Sequence, residues 1–326
     1  MIVPEFWAEG RVQERVGERQ ITVRRFGWSD VSLEEAQANA DERTREAFQR
    51  IASGEKLEKY EPKVAYNGAD GLPIREEIIR RYGNAVITRN IYGALCLNTP
   101  DVVFADVDLP EGVPWRFRGA VYLPFLTASA FWAFSTGNIM DFVRGFGLTA
   151  LIVPWFTSRL YRAYASYSGG VRKLALQHIR AFSNSHPDWH LRVYDTPAGF
   201  RILIMHQVFD PADEAVQAFF KDLSTDPLYA QMCRNQRCFR ARLSPKPWRI
   251  GIQEHLRPRP GYWPIKPEHL PTRHRWVKAY EHKAAGFASC RFLESLGRTD
   301  VTHPEAVSIQ TLHDDLCRAH SGLPLA

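Results

Sequence analysis

Asp101-Val-Val-Phe-Ala-Asp-Val-Asp108 is an apolar, β-branched run that ends in two carboxylates. Such a run reads as a buried strand that delivers acid at its C-terminal edge. Asp106 and Asp108 are two residues apart, so on a strand both side chains point to one face. Two carboxylates crowded there repel each other unless a cation or hydrogen bonds stabilise them. Mg²⁺ or Mn²⁺, hard and oxygen-loving, is the natural cation for the pair, and it would also bridge substrate phosphates. The plainer alternative has one aspartate capping the following turn and the other solvated.

Downstream, Val171 to Phe182 reads as a helix, and Trp189 to Tyr194 alternates like a strand. Phe200 to Phe209 is the next strand, and only Asp195-Thr-Pro-Ala-Gly199 separates the two, so they form a hairpin. Pro211 then opens a helix to Leu223, Tyr229 to Asn235 is a short helix, and Cys238 to Leu243 is a last strand. The resulting order is that of a ferredoxin-like or RRM-like β-α-β-β-α-β core in an α+β chain. Asp195 in the hairpin has two open readings, a third carboxylate or a turn-initiating residue. Arg201 is placed as a phosphate clamp.

Upstream, Arg19 to Trp28 alternates like a strand, and Ser32 with Glu35 marks the start of a helix over Leu33 to Ala52. A loop follows through Pro62, Asn67-Gly68 and Gly71. Pro73 then opens a short helix to Tyr82, with Glu76 and Glu77 in its first turn. Ala85 to Thr88 and Tyr92 to Leu97 are further strands. The chain thus divides into an N-terminal extension (1–100), a palm-like core (101–246) and a C-terminal segment (247–326). That last segment is rich in Pro and Arg, continues as a periodic stretch to Leu296, and closes on a helix over Pro304 to Ala319.

Inside the core, an insertion over 116–165 is unlike the rest. Gly119 to Met140 and Gly145 to Ser158 contain no charged residue, while Arg116 and Arg118 precede them and Arg159 and Arg162 follow. A membrane hairpin with both ends cytoplasmic would carry this flanking charge. A buried or subunit-packing helical pair is the other reading, and Pro124, Ser129, Gly137 and Asn138 favour it.

The acid pair closing the first strand, the glycine-bearing hairpin and the later Arg-rich strand together resemble the palm of the archaeo-eukaryotic primase-polymerase superfamily. The resemblance covers Val102 to Lys246 and skips the insertion. It implies that Asp106 and Asp108 form the first, metal-binding motif; Asp195, on its carboxylate reading, is the candidate further catalytic acid. It further implies that Tyr194 to Arg201 occupies the second motif and that Arg240, Arg242 and Lys246 hold nucleotide or template. Where the family has a histidine in the second motif, this chain has Arg201; for a third acid it offers Asp222 and Asp226. The expected function is metal-dependent nucleotide handling, with nucleotidyl transfer as the reaction. The alternatives are a non-catalytic nucleic-acid-binding module using Arg234 to Arg249, and a membrane-associated scaffold.

The 326 residues carry a formal net charge of +6, and arginine rather than lysine supplies most of the basic side. Arginine grips phosphate bidentately, which keeps nucleotide and nucleic-acid partners in view. The five cysteines are scattered without a Cys-x-x-Cys, so neither a disulfide framework nor a zinc ribbon is expected. Met1 to Gly10 has Glu5 and Glu9 and no apolar core, which reads against a signal peptide and for the cytoplasm.

Overall fold

The computed structural model describes residues 3–61, 72–109, 112–167, 169–259 and 261–326. The loop expected through Asn67-Gly68 lies outside the described residues. The chain is α+β, with helices and three antiparallel sheets.

Strands β1 (Phe6–Val16) and β2 (Arg19–Ser29) form a hairpin covered by α1 (Leu33–Ala52). Helix α1 starts where expected: the Ser32 hydroxyl accepts the Glu35 N–H at 3.2 Å. Small residues let α1 lie close on the hairpin. A Cβ on Gly27 would come within 2.1 Å of the Ala40 nitrogen and 2.4 Å of the Ala36 carbonyl oxygen. Gly27→Ala is therefore expected to lower stability by about 1–3 kcal/mol through overpacking, read as a lower urea midpoint.

Next come β3 (Glu77–Tyr82), β4 (Ala85–Arg89), β5 (Leu95–Thr99) and β6 (Phe104–Asp108). The helix expected from Pro73 to Tyr82 is not present; its residues from Glu77 onward are β3, paired with β4. Glu76 and Glu77 are acidic for another reason than helix polarity. Glu76 meets Arg240 at 2.6 Å and Glu77 meets Arg273 at 2.8 Å, so tertiary ion pairs override the local helix signal.

The insertion is two helices, α2 (Trp115–Thr136) and α3 (Ile139–Tyr167), packed chiefly on each other. Helix α3 is long and apolar enough to cross a membrane. The pair is not buried in its own chain: Phe134 is 86 % exposed and Leu151 79 %.

After α4 (Val171–Ser185), β7 (His190–Asp195) and β8 (Gly199–Ile204) form the expected hairpin. Then follow α5 (Glu214–Asp222), α6 (Pro227–Gln236), β9 (Phe239–Arg242), α7 (Leu270–Ala284), β10 (Arg291–Gly297) and α8 (Pro304–Cys317). The core elements thus occur in the expected order, but they divide between two sheets. One has strand order β10-β7-β8-β6 and the other β3-β4-β5-β9.

The last strand, β9, leaves the core sheet to pair with β5, and β10 from the C-terminal segment joins at the opposite edge. The edges β6 and β9 nevertheless run close together. The Tyr229 hydroxyl lies 2.9 Å from the carbonyl oxygens of both Phe104 and Arg240 and accepts the Arg240 N–H at 3.2 Å. A phenol therefore stands in for the missing ladder. Two cores flank the β6 sheet: Val107, Val193 and Phe200 pack with α4 and α5 on one face, and Phe104, Tyr194 and Leu203 pack with α8 on the other.

Candidate functional site

Where the two sheet edges meet, a cleft of about 300 Å³ opens, lined among others by Arg75, Tyr92, Asp106, Arg240, Arg242 and Lys246. Asp106 comes from β6, while Arg240 and Arg242, two apart on β9, point to the same side. Four of the residues singled out by sequence therefore converge here, and each pairs differently.

Asp106 lies opposite Arg201 in the ladder, and the two form a bidentate pair. Arg201 Nε donates to one carboxylate oxygen at 2.7 Å and Nη2 to the other at 3.0 Å. Arg201 is fully buried; its Nη1 also donates to the Arg242 carbonyl at 2.7 Å and lies 3.3 Å from His313 Nε2. Arg201 thus pairs with Asp106 from beneath the cleft floor, whereas its place in the hairpin suggests a phosphate clamp. Burial works against the charge of Asp106, but Arg201 outweighs it and holds the carboxyl below its ordinary range.

Asp108, at the exposed strand end opposite Gly199, has no such partner; burial and then Asp106 push its carboxyl up. A Cβ on Gly199 would come within 2.0 Å of the Val107 carbonyl oxygen. Only glycine lets the hairpin close against the acid-bearing strand, so Gly199→Ala should lower the thermal midpoint and disturb this end of β6.

Asp195 is not brought to the acid pair. It lies opposite Phe200, which in turn lies opposite Val107, so its side chain is on the other face of the sheet. There it pairs with Arg172 of α4. The one-residue alternation of strands accounts for this: hairpin proximity in sequence brings Asp195 near, but the register turns it away. Of the two candidate later acids, Asp226 is close enough to Asp108 to raise its carboxyl further, although its side chain already caps α6 by accepting the Leu228 N–H at 2.9 Å.

Arg240 is fully engaged by Glu76 at 2.6 and 2.7 Å and by Asn98 at 3.2 Å, which leaves it as a wall of the cleft. Arg242, Lys246 and Arg249 form no ion pair with a described residue. The Nε of Arg242 and one terminal nitrogen of Arg249 are buried with no hydrogen-bond partner. Burial, then Arg242 and Arg249, lower the Lys246 ammonium; burial and Arg242 lower Arg249. Three cations are thus crowded together, and the carboxylates that oppose their charge are Asp108 and Asp106. The basic run from Arg234 to Arg249 is therefore not one solvated face, because its members split between an ion pair, the cleft and the outside.

A second cluster went unnoticed in the sequence. Cys290, His313 and Cys317, all buried, have ligand atoms within 4.8 Å of one another beneath Arg201. The His313-x-x-x-Cys317 spacing on α8 was the available signal, but Cys290 reaches it only through the fold. All five cysteines are free and buried. As a metal site the cluster is poor, because the Arg201 guanidinium contacts the His313 nitrogen that would ligate. Asp106 and Asp108 carry oxygen donors, the type a hard cation takes, although both oxygens of Asp106 already accept from Arg201.

No protein-family model, curated protein or solved structure matches this chain, and the functional reading rests on the residues themselves.

Proposed function

We propose that the cleft binds a nucleoside triphosphate with a divalent cation, in the manner of a primase-polymerase palm, and that its reaction is nucleotidyl transfer. The observation that carries this reading is the crowding of Arg242, Lys246 and Arg249, with buried unpartnered donors, beside two carboxylates. A polyphosphate adds counter-charge for the three cations beyond what Asp106 and Asp108 provide, and Mg²⁺ or Mn²⁺ offsets the charge of the two carboxylates. The metal, when bound, would polarise the phosphate and lower the pKa of the attacking hydroxyl.

In such a transfer a hydroxyl gives its proton to solvent, its oxygen bonds to the α-phosphorus, and the bond to the departing diphosphate breaks. Arg242 and Lys246 stabilise the charge that builds on the phosphate oxygens, and Arg249 adds to their positive field. Arg201 holds Asp106 in place, and Arg240, neutralised by Glu76, shapes the wall. The free thiols fit a cytoplasmic setting.

The second reading, a nucleic-acid-binding module without catalysis, is favoured by one observation: Arg201 already occupies both oxygens of Asp106. Thermal melts separate the two. With Mn²⁺ and a nucleoside triphosphate at about 100 times the dissociation constant, the wild type gains roughly 2.7 kcal/mol, and Asp108→Asn or Arg242→Ala loses most of that gain. A shift given by single-stranded DNA without metal, falling steeply with salt, would support the binding module instead.

A further inference from the structure

We propose that the α2–α3 hairpin inserts into a lipid bilayer, with both of its ends on the side of the cleft and its tip at the far interface. This inference does not depend on the nucleotide reading. It rests on an inside-out distribution of side chains. Along α3 the buried positions are Asp141, Gly145, Thr149, Val153, Thr157 and Ala165, the first five spaced four residues apart. Ser129 of α2 sits so near that a Cβ on Gly145 would meet it at 2.7–2.8 Å. Two hydroxyls in this seam bond to their own helices, Thr149 to the Gly145 carbonyl at 2.8 Å and Ser129 to the Phe125 carbonyl at 2.9 Å, while the buried Thr157 hydroxyl has no hydrogen-bond partner. Small and polar residues therefore line the helix contact, while the large apolar side chains face outward. A helical pair in water is built the other way round, whereas helices in lipid associate through small residues because the lipid already solvates the large ones.

The outward side chains lie on every side of the pair. Phe131 is 72 % exposed, Ile139 73 % and Leu151 79 %. A second copy of the chain would cover one side and leave the others in water, whereas lipid covers all of them. The dimensions fit as well. The 22 residues of α2 extend about 33 Å, close to a hydrocarbon core of about 30 Å, although among the described residues only α3 is both long and apolar enough to cross by itself.

Charge is placed as insertion requires. Arg118, Arg159 and Arg162 are at the end where the hairpin joins the rest of the chain. Trp155, with the Arg159 guanidinium 5.0 Å from its ring, and Tyr164 are near the same end, where an interfacial aromatic band belongs. At the tip, Asp141 and Arg144 neutralise each other at 2.9 Å beside Gly137 and Asn138.

The test uses the full chain. Membranes from expressing cells are washed with high salt and then with alkaline carbonate, and the detergent-solubilised protein is reconstituted with phosphatidylethanolamine–phosphatidylglycerol vesicles and floated. The expected result is retention through both washes, release only by detergent, and flotation with the vesicles. The Phe131→Glu, Leu151→Glu double variant should shift at least tenfold toward the soluble fraction. Circular dichroism melts of that fraction confirm that the sheets remain folded. Wild-type protein released by salt would overturn the proposal. So would a detergent-free oligomer of single size by sedimentation, which would mean that copies of the chain cover the apolar faces.

Discussion

Asp106→Ala is expected to lower the unfolding free energy by about 3–5 kcal/mol, while Asp108→Asn changes it by less than about 1 kcal/mol. The two aspartates look equivalent in sequence but do different work. Removing Asp106 leaves the guanidinium of Arg201 buried without a carboxylate, beside the Arg242 carbonyl, the His313 ring and the thiols of Cys290 and Cys317. An uncompensated buried cation is among the few defects that cost this much. Asp108 sits at the exposed strand end, and its charge is opposed by Asp106, so losing that charge removes a repulsion as well as a solvated group. Urea unfolding of both variants checks the contrast. The roles assigned here require the Asp106 variant to be the weaker one by a wide margin, with Asp108→Asn instead losing the metal–nucleotide response.

Acidification is the second large effect. The Asp314 carboxylate receives Arg192 at 3.0 Å and Gln310 at 3.1 Å, and lies 3.0 Å from the His313 ring nitrogen. Burial opposes its charge, but these partners, His313 foremost, hold its carboxyl well below the ordinary value of 3.8. Asp106 is depressed in the same direction by Arg201. A carboxylate whose folded value is depressed stabilises the fold fully above its ordinary value, and that contribution is lost as the pH falls below it toward the folded value. Each group then removes up to about 1.4 kcal/mol per pH unit. Asp108, raised in the fold, has the opposite sign and slightly softens the loss. The urea midpoint should therefore fall steeply below about pH 4. Asp314→Asn should start lower at neutral pH and show a shallower acid limb.

What could be read from sequence was whatever depends on neighbours along the chain. The Ser32 cap, the acid-ended strand, the hairpin around Gly199 and the helix from Val171 all follow from local chemistry. The failures have one physical origin, since each was decided by partners remote in sequence. Residues 77–82 carry helix-like acids, but Arg240 and Arg273 claim Glu76 and Glu77, and β4 claims the backbone. Nothing local tells β9 to pair with β5, or marks Arg291–Gly297 as an edge strand completing the β7 sheet. The same holds at the site. The acid pair, Arg242 and Lys246 were visible in sequence, whereas the capture of Asp106 by Arg201 needed the cross-strand register. So did the turning of Asp195 to the far face. Tyr229, which bridges the sheet edges, lies in a short helix with no motif to announce it.

The central claim is that the cleft takes up metal and triphosphate together, and equilibrium dialysis of a labelled nucleoside triphosphate against the full chain tests it most directly. One nucleotide should bind per chain in the presence of Mg²⁺ or Mn²⁺. Retention should fall at least tenfold when the metal is chelated, and again in Asp108→Asn and in the Arg242→Ala, Lys246→Ala variant. Equal retention with and without metal, or binding untouched by those substitutions, would contradict it.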